Sequence, residues 1–340
     1  MSSAALHDRP ATIHPSDLRE QFTSLLSGCG VYELSNRARI SLSGNDRVRW
    51  LNGMITNKVR DLPAGQGVYA FVLNPQGHIL GDLYTYNRGE SFLLDTDQTQ
   101  AEKLMGIFRK YIIMDKVEIT NLSEKLAAIG IAGPKAREVL GRTGFEFPEL
   151  APLQFVEMTW QNLPVSIARS DSPAESYEIW LAPAQASLAL DALAKSGATP
   201  ISAAALELFR IACGIPRYGQ DIRERDLPQE TEQLRALNFV KGCYIGQEIV
   251  ERIRSRGNVH RQFTGFGVHG PLPAPGSKIQ SGGKDVGEIT SAASLPLPSG
   301  ERPVALGYIR RELVSTAEPL QAGQAQLTVA ALPFAGVFSQ

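Results

Sequence analysis

The feature that most constrains this chain is a change of texture near residue 262. From there onward no stretch holds a helical period, and proline and glycine crowd residues 270–283 and 295–303. Short β-type runs stand between and around them, at 264–268, 286–290, 304–309 and 326–330. Proline cannot donate to a helix or a central ladder, so such runs separated by turn residues form a small antiparallel barrel or sandwich. Residues 262–340 therefore read as a separate C-terminal β domain, a barrel or a sandwich.

Ahead of that break, helices and strands interleave. Helical periods fall at 16–26, 46–54, 99–111, 134–140, 183–196 and 202–212, with Asp46 placed to cap the second. Strands read at 31–34, 39–42, 68–73, 79–86, 91–94, 117–121, 126–131, 165–168 and 177–181. Asn74-Pro75-Gln76-Gly77 turns one pair into a hairpin. The order lacks a regular parallel β-α-β rhythm, which predicts an α+β region over 16–261 rather than a doubly wound sheet. Two sub-domains are expected within it, about 16–125 and 126–261, behind a flexible N-terminus at 1–15.

A net charge of −1 gives no global attraction for nucleic acid or an anionic membrane, and no aromatic residues interleave the basic segment as stacking platforms. No run approaches a membrane span, and the first residues carry no secretory pattern, so a cytoplasmic protein is expected. Cys29, Cys213 and Cys243 are odd in number and far apart, which fits a reducing compartment and offers no metal-ligand spacing. Gly265-Phe266-Gly267-Val268-His269-Gly270 fits G-x-G-x-x-G, but Pro271 and Pro273 forbid the helix a dinucleotide site needs.

One segment stands apart: Lys241-Gly242-Cys243-Tyr244-Ile245-Gly246-Gln247-Glu248. A helix starting near Gln247 and the ammonium of Lys241 would both favour the thiolate of Cys243. The plain alternative is a small buried apolar side chain, the common fate of a free cysteine. Arg252, Arg254, Arg256, His260 and Arg261 follow, a basic cluster able either to hold a polyanion or to form a solvated helix face.

These eight residues resemble the K-G-C-[FY]-x-G-Q-E signature of YgfZ-type proteins, a branch of the glycine-cleavage T-protein (aminomethyltransferase) superfamily. Leu42-Ser43-Gly44-Asn45-Asp46 with Thr56-Asn57 is similar to that superfamily's G-x-D … T-N-D-V region. Leu73, Asn74 and the residues up to Asp82 resemble its L-N-x-x-G-x-I-x-D-D hairpin. Ala132-Gly133-Pro134 resembles G-P-x-A, and residues 210–219 resemble R-L-E-A-G-x-x-x-Y-G. The likeness spans about residues 20–310.

The resemblance implies T-protein-like folate-binding α+β domains before the barrel, with tetrahydrofolate or a derivative in a central hollow. Glu178, within Tyr177-Glu178-Ile179-Trp180, would accept paired hydrogen bonds from the pterin edge. Read on its own, Glu178 could equally face water opposite Tyr177 and Ile179. Two departures weaken aminomethyl transfer: the T-protein's paired aspartates read Gly81-Asp82 here, and a T-protein arginine aligns with Leu206. Cys243 is the expected reactive or cluster-contacting thiol, with Lys241 tuning it and Tyr244, Gln247 and Glu248 shaping its site. Arg254 and the rest of the cluster are expected to meet folate's anionic tail, and the thiol is expected to face the pterin hollow. The implied function is a tetrahydrofolate-binding accessory factor for assembly or repair of iron–sulfur proteins, with client or assembly proteins as partners. A tetrahydrofolate-dependent aminomethyltransferase or demethylase using Asp82, and a non-catalytic folate-dependent binding module, are the alternatives.

Overall fold

A computed structural model describes residues 15–257 and 259–338. Its helices are α1 (Pro15–Ser27), α2 (Arg47–Met54), α3 (Ala101–Lys110), α4 (Ala136–Arg142), α5 (Ala186–Lys195), α6 (Ala203–Ala212) and α7 (Gln247–Arg256). The strands before α7 are β1 (Gly30–Glu33), β2 (Arg37–Ser43), β3 (Gly67–Leu73), β4 (Ile79–Asn87), β5 (Ser91–Asp97), β6 (Glu118–Asn121), β7 (Ala127–Ala132), β8 (Phe155–Trp160), β9 (Leu163–Arg169), β10 (Ser176–Leu181) and β11 (Thr199–Pro200). After it come β12 (Arg261–His269), β13 (Lys278–Ser281), β14 (Lys284–Leu297), β15 (Gly300–Arg310), β16 (Leu320–Ala322) and β17 (Ala325–Ala330).

Strand alternation decides the layers. On β2, Ala38, Ile40 and Leu42 point into a core with Trp50 and Leu51 of α2 and Leu104, Met105 and Phe108 of α3. These helices cover the outer face of a five-stranded sheet, β3-β4-β5-β2-β6. On β10, Tyr177, Ile179 and Leu181 face Val139 and Leu140 of α4 and Ala189 and Leu193 of α5. That pair covers a six-stranded sheet, β11-β1-β7-β10-β9-β8. The two inner faces meet through a small aromatic layer. Trp180 lies 4.7 Å from Tyr86 and 5.4 Å from Phe155, ring centre to ring centre.

The C-terminal strands close into a barrel, β12-β15-β14-β13-β16-β17, with β12 pairing both β15 and β17. The barrel leans on α1 and α6, whose Phe22, Leu25 and Phe209 share a core with Leu295, Leu306 and Tyr308. A buried carboxylate fixes this joint. Asp221 accepts from Arg210 Nη1 at 2.7 Å and the Arg217 amide at 3.0 Å, and from the hydroxyls of Thr290 at 2.5 Å and Ser291 at 2.7 Å. Each oxygen thus accepts two hydrogen bonds, the condition under which a buried charge is tolerated.

Several expectations shift. The change of sheet falls between β6 and β7, near residue 125, but β1 crosses over to the second sheet between β7 and β11 and buries Val31 in that sheet's core. Asp46 makes no side-chain cap bond to the α2 backbone; its carboxylate pairs with Arg49 at 3.5 Å and accepts from the Lys116 amide at 2.8 Å. Strands β8, β11, β13 and β16 were not foreseen. Strand β8 lies at a sheet edge with mixed burial, and the others are two to four residues long among turn residues. The reading of residues 1–15 as a flexible N-terminus lies outside the described residues, apart from Pro15, which opens α1.

Removing Asp221 leaves Arg210 paired with Glu207 and takes the shared acceptor from the Arg217 amide and the hydroxyls of Thr290 and Ser291. Asp221→Ala is expected to cost about 3–5 kcal/mol of unfolding free energy, read from the midpoint of urea denaturation at unchanged slope.

Candidate functional site

The aromatic layer between the sheets stops at Trp180, and a cavity of about 250 Å³ begins beside it, lined by Glu178, Tyr84, Asp171, Leu206, Arg210 and Arg217. Glu178 shares the inward face of β10 with Trp180, whose indole donates to its Oε2 at 2.9 Å. Gly130 sits opposite Glu178 in the sheet, and a Cβ there would lie 2.1 Å from the ring of Tyr32. The missing side chain lets Tyr32 lie across the strand and line the cavity. The hollow adjoins a cleft of about 820 Å³, sharing Tyr32, Leu206 and Arg217. On the barrel side it adjoins another of about 650 Å³, sharing Asp171 and Ile215.

Charge is buried at the edge of this hollow. Arg39 is 2% exposed, sits 3.2 Å from Asp95 and 3.9 Å from Glu178, and Arg37 pairs with Asp95 from the neighbouring position on the same face. Burial pushes the Glu178 carboxyl above the usual carboxylate range; Asp95 adds to the shift, and Arg39 opposes it.

Asp82 stands on the same sheet face, two residues from Tyr84, yet does not line the hollow. Its oxygens accept from Tyr69 Oη and Gln100 Nε2, each at 2.7 Å. Position 81 points the other way: a Cβ on Gly81 would meet Gln100 and Leu104, both at 2.8 Å. The surviving hairpin carboxylate is therefore on the inner face, and the lost one would have been packed against α3. Burial, with Asp82 beside it, holds the Tyr69 phenol well above its ordinary value. The guanidinium of Arg235 lies 4.5 Å above the Tyr69 ring and pairs with Asp171, which also accepts from Tyr84 Oη at 3.1 Å.

Residues 235–241 form a strap clipped across residues 55–57. Thr56 Oγ1 donates to the Ala236 carbonyl at 2.6 Å, and Asn57 Nδ2 donates to the carbonyls of Arg235 and Tyr69, each at 2.9 Å. Lys241 is buried, and its ammonium donates to the carbonyls of Ile55 and Asn57, both at 2.6 Å, over the Tyr244 ring. Burial pulls this lysine down to about 7. Beyond the strap, Gly242 and Cys243 are exposed. The loop then returns to the hairpin through two glycines in the left-handed region, Gly246 (φ 81°) and Gly77 (φ 77°). A Cβ on either would lie 2.6–2.7 Å from Asn74 O or Ile249 Cβ, so only glycine permits this approach.

The structure thus separates residues the sequence reading had gathered. Glu178 and Leu206 line the hollow; Lys241, Cys243, Tyr244, Gln247, Glu248 and Arg254 do not. The ammonium of Lys241 is spent on two carbonyls rather than on the thiol. Tyr244 is buried among Phe71, Ile79 and Val250, and Gln247 Oε1 accepts from the Tyr244 amide within the loop. Arg254 stacks on Phe239 and pairs with Glu251, whereas Arg261 turns to Asp226 and Glu230, so the basic cluster is not one patch. Sequence pattern alone does not single out Arg37, Arg39, Asp95, Asp171 or Arg235 as site residues. Arg37 and Arg39, alternating with apolar residues on one strand, were the available signal that an inward face carried charge.

Two helix-covered sheets enclosing a polar hollow, with a barrel against one side, define the class of protein. Residues 5–241 match the model of the GCVT N-terminal domain, and residues 258–335 match that of the CAF17 C-terminal β-barrel domain. The chain belongs to the GCVT family and ends in a CAF17-type barrel. An aminomethyltransferase of Rubrobacter xylanophilus is 27% identical over 299 residues, covering 87% of this chain and 80% of that one. A chloroplastic protein of Arabidopsis thaliana, whose name goes no further than transferase, is 26% identical over 306 residues, covering 88% and 69%. The glycine cleavage system aminomethyltransferase T of Bartonella henselae has the same fold, with a TM-score of 0.83 at 23% identity, covering 94% of this chain and 90% of that one.

The raised Glu178 carboxyl makes a prediction about stability. Between its unfolded and folded pKa values the native state holds more protons, so its contribution to stability falls as pH rises through that window. Glu178→Gln should melt higher than the parent at neutral pH, and the difference should vanish as pH falls below about 4, where both carboxyl states are protonated. Thermal melts across pH 3.5–8 check this.

Proposed function

We propose that this chain is a tetrahydrofolate-binding accessory factor of the YgfZ branch, serving assembly or repair of iron–sulfur proteins. Two sites divide the work. The hollow takes the pterin: Glu178 offers a carboxylate held in place by Trp180, at the end of an aromatic wall, with contiguous clefts able to take the rest of a folate. The loop at Cys243 meets the protein partner or its cluster. The observation that carries this reading is the exposure of Cys243 inside its long signature, while Cys29 and Cys213 are buried with thiols pushed up to about 12 by burial.

Aminomethyl transfer is the second reading, and the names of the bacterial relatives favour it. Against it, both oxygens of Asp82 are occupied by Tyr69 and Gln100, and Leu206 puts an apolar side chain where the T-protein pattern has an arginine.

Calorimetric titration with tetrahydrofolate should show binding that Glu178→Ala reduces about 10-fold or more, the loss of a buried charged acceptor. Unaltered affinity in that variant moves the ligand elsewhere. In a strain lacking the protein, Cys243→Ala should fail to restore a cluster-dependent enzyme while its folate affinity is kept. Full restoration removes the thiol from the function.

A further inference from the structure

The hollow and the Cys243 loop are separate, yet a continuous chain of polar contacts joins them. Tyr84 and Asp171 both line the hollow, and the Tyr84 hydroxyl donates to Asp171 at 3.1 Å. Asp171 pairs with the guanidinium of Arg235. The carbonyl of Arg235 accepts from Asn57 Nδ2 at 2.9 Å, and the carbonyl of Asn57 accepts from Lys241 Nζ at 2.6 Å. Cys243 is two residues further on. We infer that Arg235 and Asn57 are positioning residues that couple occupancy of the Glu178 hollow to the seating of the strap, and so to the reactivity of Cys243.

The strap has the features of an element with two states. Its tip is open: Val240 is 84% exposed, and a Cβ on Gly242 would touch nothing within 4 Å. Its anchor is an amine whose burial has a cost, offset by two carbonyls and an aromatic face. Its base is packed, with Ala236 and Leu237 buried beside Phe71 and Tyr244, so the outer part, with Val240, Gly242 and Cys243 exposed, is the stretch of a kind that opens at low free energy. A ligand filling the hollow orders Tyr84 and Asp171, and through them Arg235, and so favours the seated strap; by reciprocity the seated strap favours the ligand. Asn57 lies outside the hollow, so it can be altered without touching the ligand. The ligand named for the test rests on the folate reading above.

The experiment is the rate at which iodoacetamide labels the protein, with and without saturating tetrahydrofolate, beside calorimetry of the same samples. Burial of Cys29 and Cys213 makes the label a reporter of Cys243. In the parent protein the ligand is expected to change the labelling rate about fivefold or more, the low end of an allosteric coupling. Asn57→Asp, which keeps the shape but replaces the Nδ2 donor, should still bind the ligand, within the roughly fivefold that reciprocity allows, and label within about twofold at the same rate with or without it. Asn57→Ala serves if the aspartate variant melts early. Ligand binding with an unchanged labelling rate in the parent overturns the coupling and leaves the folate reading standing. The full ligand effect on labelling retained in both Asn57 variants overturns the route. Absence of calorimetric binding overturns the folate reading, and the inference with it.

Discussion

Everything at the centre of this molecule depends on where an apolar layer ends. Trp180, Tyr86 and Phe155 hold two sheets face to face, and edge-to-face aromatic packing adds to the area they bury. One residue pair further along β10 and β5 the packing gives way to Glu178, Asp95, Arg39 and Arg37. A core that wanted only stability would continue the aromatic layer, since buried ion pairs seldom improve on well-packed apolar side chains. The polar interruption is where the fold gives up stability for a site.

The hairpin shows how the same scaffold can keep a fold while altering its chemistry. Strand alternation assigns Gly81 to the helix side and Asp82 to the inner side. Losing the first carboxylate relieves packing against α3, and keeping the second leaves an acceptor that Tyr69 and Gln100 saturate. With Leu206 on its wall, the hollow carries the carboxyl groups of Glu178 and Asp171. The exposed thiol stands outside, on a loop whose two close approaches require Gly77 and Gly246.

Much of this was legible in the chain itself. The barrel announced itself through proline, glycine and short β runs after residue 262, and the helix faces through their period. Glu178 could be placed on a strand but not assigned a side, because alternation alone does not say which face is inner. The hidden part was long-range. Nothing local to Lys241 predicts that its ammonium ends on the carbonyls of Ile55 and Asn57, 184 and more residues away in sequence. Nor does anything near Asp171 announce Arg235. Proximity in the motif suggested that Lys241 and Cys243 act together; the backbone path turned the lysine inward and the cysteine outward.

The joint at Asp221 has a consequence for how such chains can be recombined. Its four acceptor sites are filled by donors from two sources: Arg210 and the Arg217 amide from the α+β body, Thr290 and Ser291 from the barrel. A barrel borrowed from another protein would have to bring two hydroxyls to the same places, or strand a charge in a dry seam. The terminal module is therefore not a freely exchangeable attachment, and its inheritance is tied to a single acid in the other half.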